Sequence, residues 1–523
     1  MRRIVCALLC VALAGCTARA AVRHEPGTLV VLELGDAGSV NPLLTSQYYS
    51  FLYQNLIFDT LLGTGEDYKP VPELGTSWSS NRAGTDWIIH LRHGVRWSDG
   101  QPFDASDVVW TFEALTDPKT GSPYQGQDAF IKRVTALDPY TVRIQLSEPN
   151  ATFVNVGLQS VWIMPKHVFA GIPHSQIRQT NFGEHPVGTG TYVLAHWDHD
   201  QEAVLTANPH WWGGTPSVRK IDFRIILQEQ GRTDAMLDGA ADIDDGIGAD
   251  TALRLRGVAG LHQIDIPDLF TRFVQINFHT PGLNDRAVRQ AMMYGWDREA
   301  VSRGLRHGFS TVASSIVPTA LRYWHDDAVK PYPFDPARAG ALLDGAGWRR
   351  GADGIRAKGR VRLAFAITLP YTPLGNDTAA AFQSDMRAIG IEISVRLLDY
   401  STFIDQTNNS NYQLAFTGWG GSPDPDQFTL LDSKQIPPNG NNTGFYSNPA
   451  VDRDVEQGLK ELDPGKRRAY YNDMQVQIAR DLPALFLSNE FYQVAIGDRV
   501  HHTGPTLPGI SYFVDVAHWR LDP

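Results

Sequence analysis

All three cysteines of the chain, Cys6, Cys10 and Cys16, stand within its first sixteen residues. Everything beyond them is free of thiols, so the folded body can hold no disulfide, no thiolate-ligated zinc and no cysteine nucleophile. It must be held by burial of apolar surface and by hydrogen bonding. With 523 residues, 42% of them hydrophobic, the chain is long enough to do this in two or more domains.

The cysteines also mark a leader. Met1-Arg2-Arg3 is a charged start, and Ile4 to Ala14 is an apolar run of signal-peptide length, too short to span a bilayer as a helix. Leu13-Ala14-Gly15-Cys16 resembles the lipobox of bacterial lipoproteins. This predicts a signal peptide over 1–15, acylation of Cys16, and a tether over 16–26. The competing reading is ordinary cleavage near Thr17-Ala18-Arg19-Ala20-Ala21, which discards Cys16 as well. Both place the body outside the cytoplasmic membrane. The 46 Lys and Arg against 57 Asp and Glu give a net charge of −11, and loss of Arg2 and Arg3 with the leader makes it −13 (44 against 57). That balance speaks against a nucleic-acid partner, which calls for a basic face.

Beyond the leader, helix and strand signals alternate. Thr28-Leu-Val-Val-Leu-Glu-Leu34 reads as a buried strand, and Trp87-Ile-Ile-His-Leu91 alternates as another. Asp104, with Asp107 three residues on, predicts a capping-box start for a helix bearing Val108, Val109, Phe112 and Leu115 on one face. Asn284 is read as the cap of a helix carrying Ala287, Val288, Ala291 and Met292, and Asp335-Pro336 opens one that closes at Gly345. From about Asn376 to Leu397 the pattern is clearest. Ala379, Phe382, Met386 and Ile389 share a helical face, Gly390 stops the helix, and Ile391, Ile393, Val395 and Leu397 alternate as a strand. The fold class this predicts is α/β, with parallel strands.

Several motifs recur in order: Asn41-Pro42-Leu43-Leu44; Tyr68-Lys-Pro-Val-Pro-Glu-Leu74; Gly94-Val-Arg-Trp-Ser-Asp-Gly100 running into Asp107-Val-Val-Trp-Thr-Phe112; Pro186-Val-Gly-Thr-Gly-Thr-Tyr192 with Asn208-Pro-His-Trp-Trp-Gly-Gly214; Arg286-Ala-Val-Arg-Gln-Ala291; and Gly418-Trp419-Gly420 with Asp424-Pro425-Asp426. Together they resemble the peptide/nickel family (family 5) of extracellular solute-binding proteins, the ligand receptors of ATP-binding-cassette importers. The resemblance implies a two-lobed, hinged, periplasmic-binding-protein-like fold of the large peptide-binding type. Lobe I is expected over 26–63, 187–270 and 490–523, an inserted subdomain over 64–186, and lobe II over 271–489. The lobes would be joined near Thr271-Arg-Phe-Val274 and Phe486-Leu-Ser-Asn-Glu-Phe491.

The same resemblance supplies candidate ligand-binding residues. Trp419, Gly420 and Gly421 lie where the family lines its pocket, the glycines permitting close backbone approach and the indole giving flat apolar area. In peptide-binding members an aspartate in this segment pairs with the ligand's amino group, and an arginine before Pro-Tyr pairs with its carboxylate. Here the two positions hold Ser422 and Leu369, the latter before Pro370-Tyr371, so a free dipeptide is a doubtful ligand. Asp424 or Asp426 is the substitute anion, though Asp-Pro-Asp reads equally as a capped turn. Tyr371, Asn442 and Tyr446 are assigned to the rim of lobe II. Ser46, Gln47 and Tyr48 are assigned to lobe I, against the alternative of an amphipathic helix start.

Three other patterns invite different chemistry. Trp211-Trp212 suggests a carbohydrate platform, but a packed turn is preferred. His196-Trp-Asp-His199-Asp200 suggests a metal site, yet a strand and turn would splay its ligands, so no metal is expected. Asp242-Ile-Asp-Asp-Gly246 lacks the offsets of a calcium loop and is read as lobe structure. No nucleophile, zincin or nucleotide motif occurs. The expected function is therefore a lipid-anchored, monomeric, cofactor-free receptor delivering an oligopeptide to an importer's permease and ATPase. The alternatives are an oligosaccharide, metal-chelate or other neutral-solute receptor, a binding protein recruited to signalling or chaperone work, and a secreted hydrolase.

Overall fold

The computed structural model describes residues 25–125, 130–502, 513 and 515–522. The predicted leader and Cys16 lie outside the described residues. Eleven strands build one mixed sheet: β1 (Thr28–Glu33), β2 (Tyr192–Asp198), β3 (Glu202–Ala207), β4 (Lys220–Ile225), β5 (Ile243–Ile247), β6 (Leu261–Ile276), β7 (Ser310–Val312), β8 (Ala364–Pro370), β9 (Glu392–Leu398), β10 (Leu414–Gly420) and β11 (Ala484–Gly497). Their order is β9-β8-β10-β6-β11-β5-β1-β4-β3-β2, with β7 also on β11. It holds two parallel groups, β1 between β4 and β5, and β8 between β9 and β10, the first continued to the sheet's edge by antiparallel β3 and β2. The long antiparallel pair β6 and β11 joins them.

The helices that matter below are α1 (Tyr48–Ile57), α2 (Ala105–Thr116), α3 (Glu229–Leu237), α4 (Arg286–Gly295), α5 (Pro336–Gly345), α6 (Pro373–Ile389), α7 (Pro449–Lys460) and α8 (Pro464–Asp481). Asp104 and Asp107 form the capping box of α2, and Gly390 ends α6 with φ +88°. The cap of α4 is Asp285, whose side chain accepts from Ala287 N; Asn284 instead accepts from Gly282 N, one residue out of phase with the cap predicted there. α6 begins earlier than its apolar stripe, because Thr372 accepts from Gly375 N and fixes the first turn.

Burial divides the chain into two lobes. One core gathers Leu29, Val31, Tyr53, Ile221, Phe223 and Ile243 with the inserted segment's Ile89, Trp97, Phe112 and Ile144. The other gathers Phe273, Val288, Met292, Phe365, Phe382, Met386, Met474 and Phe486. The insert carries its own four-stranded antiparallel sheet, made by residues 75–80, 86–91, 131–138 and 141–146, with α2 packed on it. It also reaches the second lobe: Tyr68 packs into that core, and Ala151 N donates to Leu459 O at 2.7 Å. Among the described residues no helix is long and apolar enough to cross a membrane.

Where β6 and β11 pass between the lobes their pairing slips. Pro267 pairs with Phe491, yet Thr271 pairs with Asn489, so the register shifts between Pro267 and Thr271. Beyond the slip the strands are pinned again by Asn489 Nδ2, which donates to Thr271 Oγ1 at 2.8 Å, while Thr271 Oγ1 donates to Ile316 O. An irregularity of this kind bends a ladder locally and leaves fewer bonds to break there.

Candidate functional site

Trp419 stands next to last in β10, on the rung it shares with Thr271 and Asn489. One part of its indole packs on the lobe II core and the rest is open. Its flanking glycines serve strand packing rather than the close approach of a ligand that the resemblance implied. A Cβ on Gly418 would come within 2.0 Å of Phe270 Cε1, and one on Gly420 within 2.0 Å of Leu269 O. The amide of Gly421 donates to Leu269 O at 3.2 Å. The glycines are required by the close pairing of β10 with β6, and that pairing holds Trp419 in place.

The segment that follows is a chain of short capped turns. Ser422 is exposed and its Oγ accepts from Asp424 N at 3.2 Å; Asp424 Oδ1 accepts from Asp426 N at 3.0 Å; Asp426 Oδ1 accepts from Phe428 N at 3.0 Å. Asp424 is not the free anion expected. It is buried and receives both Arg467 amino groups of α8, at 2.8 and 2.6 Å, as well as Asn155 Nδ2 from the insert at 2.9 Å. Burial alone would make Arg467 easier to discharge, but the Asp424 carboxylate outweighs it and holds the guanidinium firmly charged. Asp426 has no such partner. Burial, reinforced by the Asp424 charge, pushes its carboxyl up to about 6.

Two rim assignments are corrected by packing. Asn442 is fully buried, donates to Asp432 O and Tyr446 O, and accepts from Tyr446 N, so it clamps a turn. Tyr446 lies in the lobe II core with its hydroxyl donating to Asp481. Neither has a polar atom left to offer a solute. Tyr371 is exposed at the end of β8, while Leu369, two residues before it, is wholly buried. An arginine at that position would place its charge in the core.

On lobe I, Ser46 and Gln47 are exposed, and Gln47 Oε1 accepts from Gly38 N. Tyr48 opens α1 with half its surface exposed, and its hydroxyl lies 3.0 Å from that of Tyr492 on β11. Beneath this pair are three carboxylates that the sequence reading did not assign to a site: Glu33 at the end of β1, and Asp244 and Asp245 on β5, which it read as lobe structure. A signal was present. Glu33 ends an otherwise apolar strand, and Asp244-Asp245 interrupts a segment bounded by Ile243 and Ile247. Burial, then the neighbouring Asp245 and Asp244 charges, drives Glu33 well above the carboxylate range. Burial likewise raises Asp245 to about 6, opposed by the Tyr492 hydroxyl.

The competing patterns resolve into structure. Trp212 Nε1 donates to Asp59 at 2.8 Å beneath the Arg92 guanidinium, which fixes the Trp-Trp turn. His196 to Asp200 spans a β-hairpin in which His199 bridges Asp36 at 2.9 Å and Glu184 at 3.0 Å. Burial works against its charge, yet the two carboxylates prevail and raise its pKa. Asp242 pairs with Arg499 at 2.7 Å and accepts from Val30 N. Among the described residues no group of three or more His, Cys, Asp or Glu is arranged to hold a metal ion.

Comparison with known proteins places this geometry. The family model described as bacterial extracellular solute-binding proteins, family 5 Middle, matches residues 69–437. Protein XP55 of Streptomyces lividans is 30% identical over 495 residues, covering 92% of this chain and 88% of that one. The oligopeptide-binding protein AppA of Bacillus subtilis is 25% identical over 480 residues, covering 89% and 86%. The structure of that protein with a nonapeptide superposes with a TM-score of 0.78 at 23% identity, over 95% of this chain and 99% of that one. NikA of Brucella suis, solved with Fe(III)-EDTA, superposes at 0.83 with 24% identity, over 95% and 100%. With its two lobes, its inserted subdomain and a match over more than half its length, the chain belongs to family 5 of the bacterial extracellular solute-binding proteins and is a binding protein, not an enzyme.

Proposed function

We propose that the chain is the receptor of an ATP-binding-cassette importer and that its solute is an oligopeptide. The observation that carries this is the pair of strands β6 and β11, the sequence-distant connections that join two separately packed lobes and lose register where they cross. Such a joint permits closure on a solute, and a closed state is populated in proportion to the contacts only it can make. The peptide assignment is supported by similarity to AppA in sequence and fold. Lobe I is taken as 26–63, 187–270 and 490–523, the insert as 64–186 and lobe II as 271–489. Trp419 presents its open part to the solute from lobe II, with Gly420, Gly421 and Ser422 beside it and Tyr371 further out, and Ser46, Gln47 and Tyr48 do so from lobe I. The protein acts as a monomer, tethered through an acylated Cys16.

Thermal unfolding of the purified chain against peptides, oligosaccharides and metal chelates tests the reading. A solute held only by the native state at a hundred times its Kd adds about 2.7 kcal/mol of stability. Stabilisation by peptides, lost in Trp419→Ala, is expected. Stabilisation by a saccharide or chelate alone reassigns the solute class. Cys16→Ser should release the protein from the membrane fraction with binding intact.

A further inference from the structure

The carboxylates beneath Tyr48 carry more negative charge than the surrounding protein answers. Glu33 is 0% exposed and Asp245 3%; among the described residues neither Glu33 oxygen has a hydrogen-bond partner, and Asp245 is approached only by the hydroxyls of Tyr48 and Tyr492. Asp244, also buried, spends one oxygen on Arg232 Nε at 2.8 Å and leaves the other unpartnered. One guanidinium therefore faces three carboxylates. Among the described residues, the other groups coupled to them are Tyr48, Tyr49 and Tyr53 of α1, Tyr492 of β11 and Glu229 of α3, and none is a cation. From α1, independently of the acids, the Tyr53 hydroxyl lies within reach of the Glu33 charge and is itself buried without a partner.

Burying unpaired carboxylates is costly, and a protein without a counter-ion for them holds them protonated. The cluster is also placed where a solute can approach. Glu33 ends β1 between the parallel strands β4 and β5, at the carboxyl edge where open α/β sheets receive ligands. Tyr492 is three residues from Asn489, hence about 10 Å along β11 from the rung that holds Trp419. Tyr48 is 49% exposed, its hydroxyl lies 3.0 Å from that of Tyr492, and both hydroxyls lie against Asp245.

We propose that Glu33 and Asp245 form a subsite for a positively charged group of the solute, an ammonium or guanidinium, entering beneath Tyr48 and walled by Tyr49 and Tyr492. Carboxylates supply the charge it needs and the tyrosine faces add cation–π attraction. This deepens the receptor reading and rests on it. Because burial raises both carboxyls, Asp245 to about 6, protons compete with a bound cation and its affinity falls as the pH is lowered.

Calorimetric titration of the full chain with agmatine and putrescine, against uncharged 1,4-butanediol, tests the subsite directly. The amines should bind saturably and the diol should not. Glu33→Gln and Asp245→Asn, which keep side-chain size, should each weaken amine binding at least tenfold, while their thermal unfolding without ligand confirms that they fold. Affinity in the wild type should drop about tenfold between pH 7 and pH 5. Amines and diol behaving alike, or both variants binding amines as the wild type does, would overturn the proposal and leave the acids as protonated, hydrated structural groups. A second arm uses tetra-alanine, its N-acetyl form and N-acetyl-tetralysine. Preference for free over acetylated tetra-alanine assigns the subsite to a terminal ammonium, and retention of the acetylated lysine peptide assigns it to a side chain. Acid-dependent amine binding without any peptide binding keeps the subsite and rejects the oligopeptide reading; equal binding of free and acetylated tetra-alanine without amine binding does the reverse.

Discussion

Asp424 shows how far a residue's role depends on what lies distant in sequence. Its neighbours Ser422 and Asp426 announce a capped turn, and the turn is there. Arg467, 43 residues on, decides that the carboxylate is already spent, and no local pattern contains that fact. Asn442 and Tyr446 were misplaced for the same reason, since a loop-like composition says nothing of whether the loop is packed inward. Removing one partner of a buried ion pair leaves the other uncompensated, so Asp424→Ala is expected to lower stability by about 3–5 kcal/mol in urea unfolding. Arg467→Ala should cost a similar amount, and the double variant less than the sum of the two. Additive losses would show that the pair does not act as a unit.

At the scale of elements, helices with an apolar stripe and a cap were legible, as in α2, α5 and α6, because spacing and capping are local. The antiparallel middle of the sheet was not, because the 16 residues of β6 and 14 of β11 alternate weakly and pair across more than two hundred positions. Gly420 marks their junction with β10. At φ +156° and with Leu269 O where a Cβ would stand, Gly420→Ala must force β10 away from β6, and a thermal unfolding midpoint several degrees lower is expected. A second prediction concerns the edge of the insert. Burial, then the Asp59 charge, raises Glu73 to about 8, although Thr60 donates to it through both N and Oγ1. A carboxyl whose folded pKa lies above its unfolded value stabilises the fold while protonated and loses that contribution as pH rises through the folded pKa. Chemical unfolding at pH 6 and pH 9 should therefore show wild-type stability falling, and Glu73→Gln should reduce the fall. An unchanged fall would exclude Glu73 as its source.

For the whole molecule, the family was legible from ordered motifs, whereas the contact between insert and second lobe was not. Asn155 on Asp424 and Ala151 on Leu459 tie the two together across sequence distances of 269 and 308 residues (424 − 155 and 459 − 151). Solute binding should draw the lobes together, and small-angle scattering of the purified chain should record a smaller radius of gyration at saturation. The central claim, a receptor for oligopeptides, is tested most directly by calorimetric titration of defined peptides of about three to nine residues into the purified chain. Saturable binding of one peptide per chain, abolished or strongly weakened in Trp419→Ala, is the predicted result; no binding of any such peptide, with tight binding of a saccharide or metal chelate instead, would contradict it.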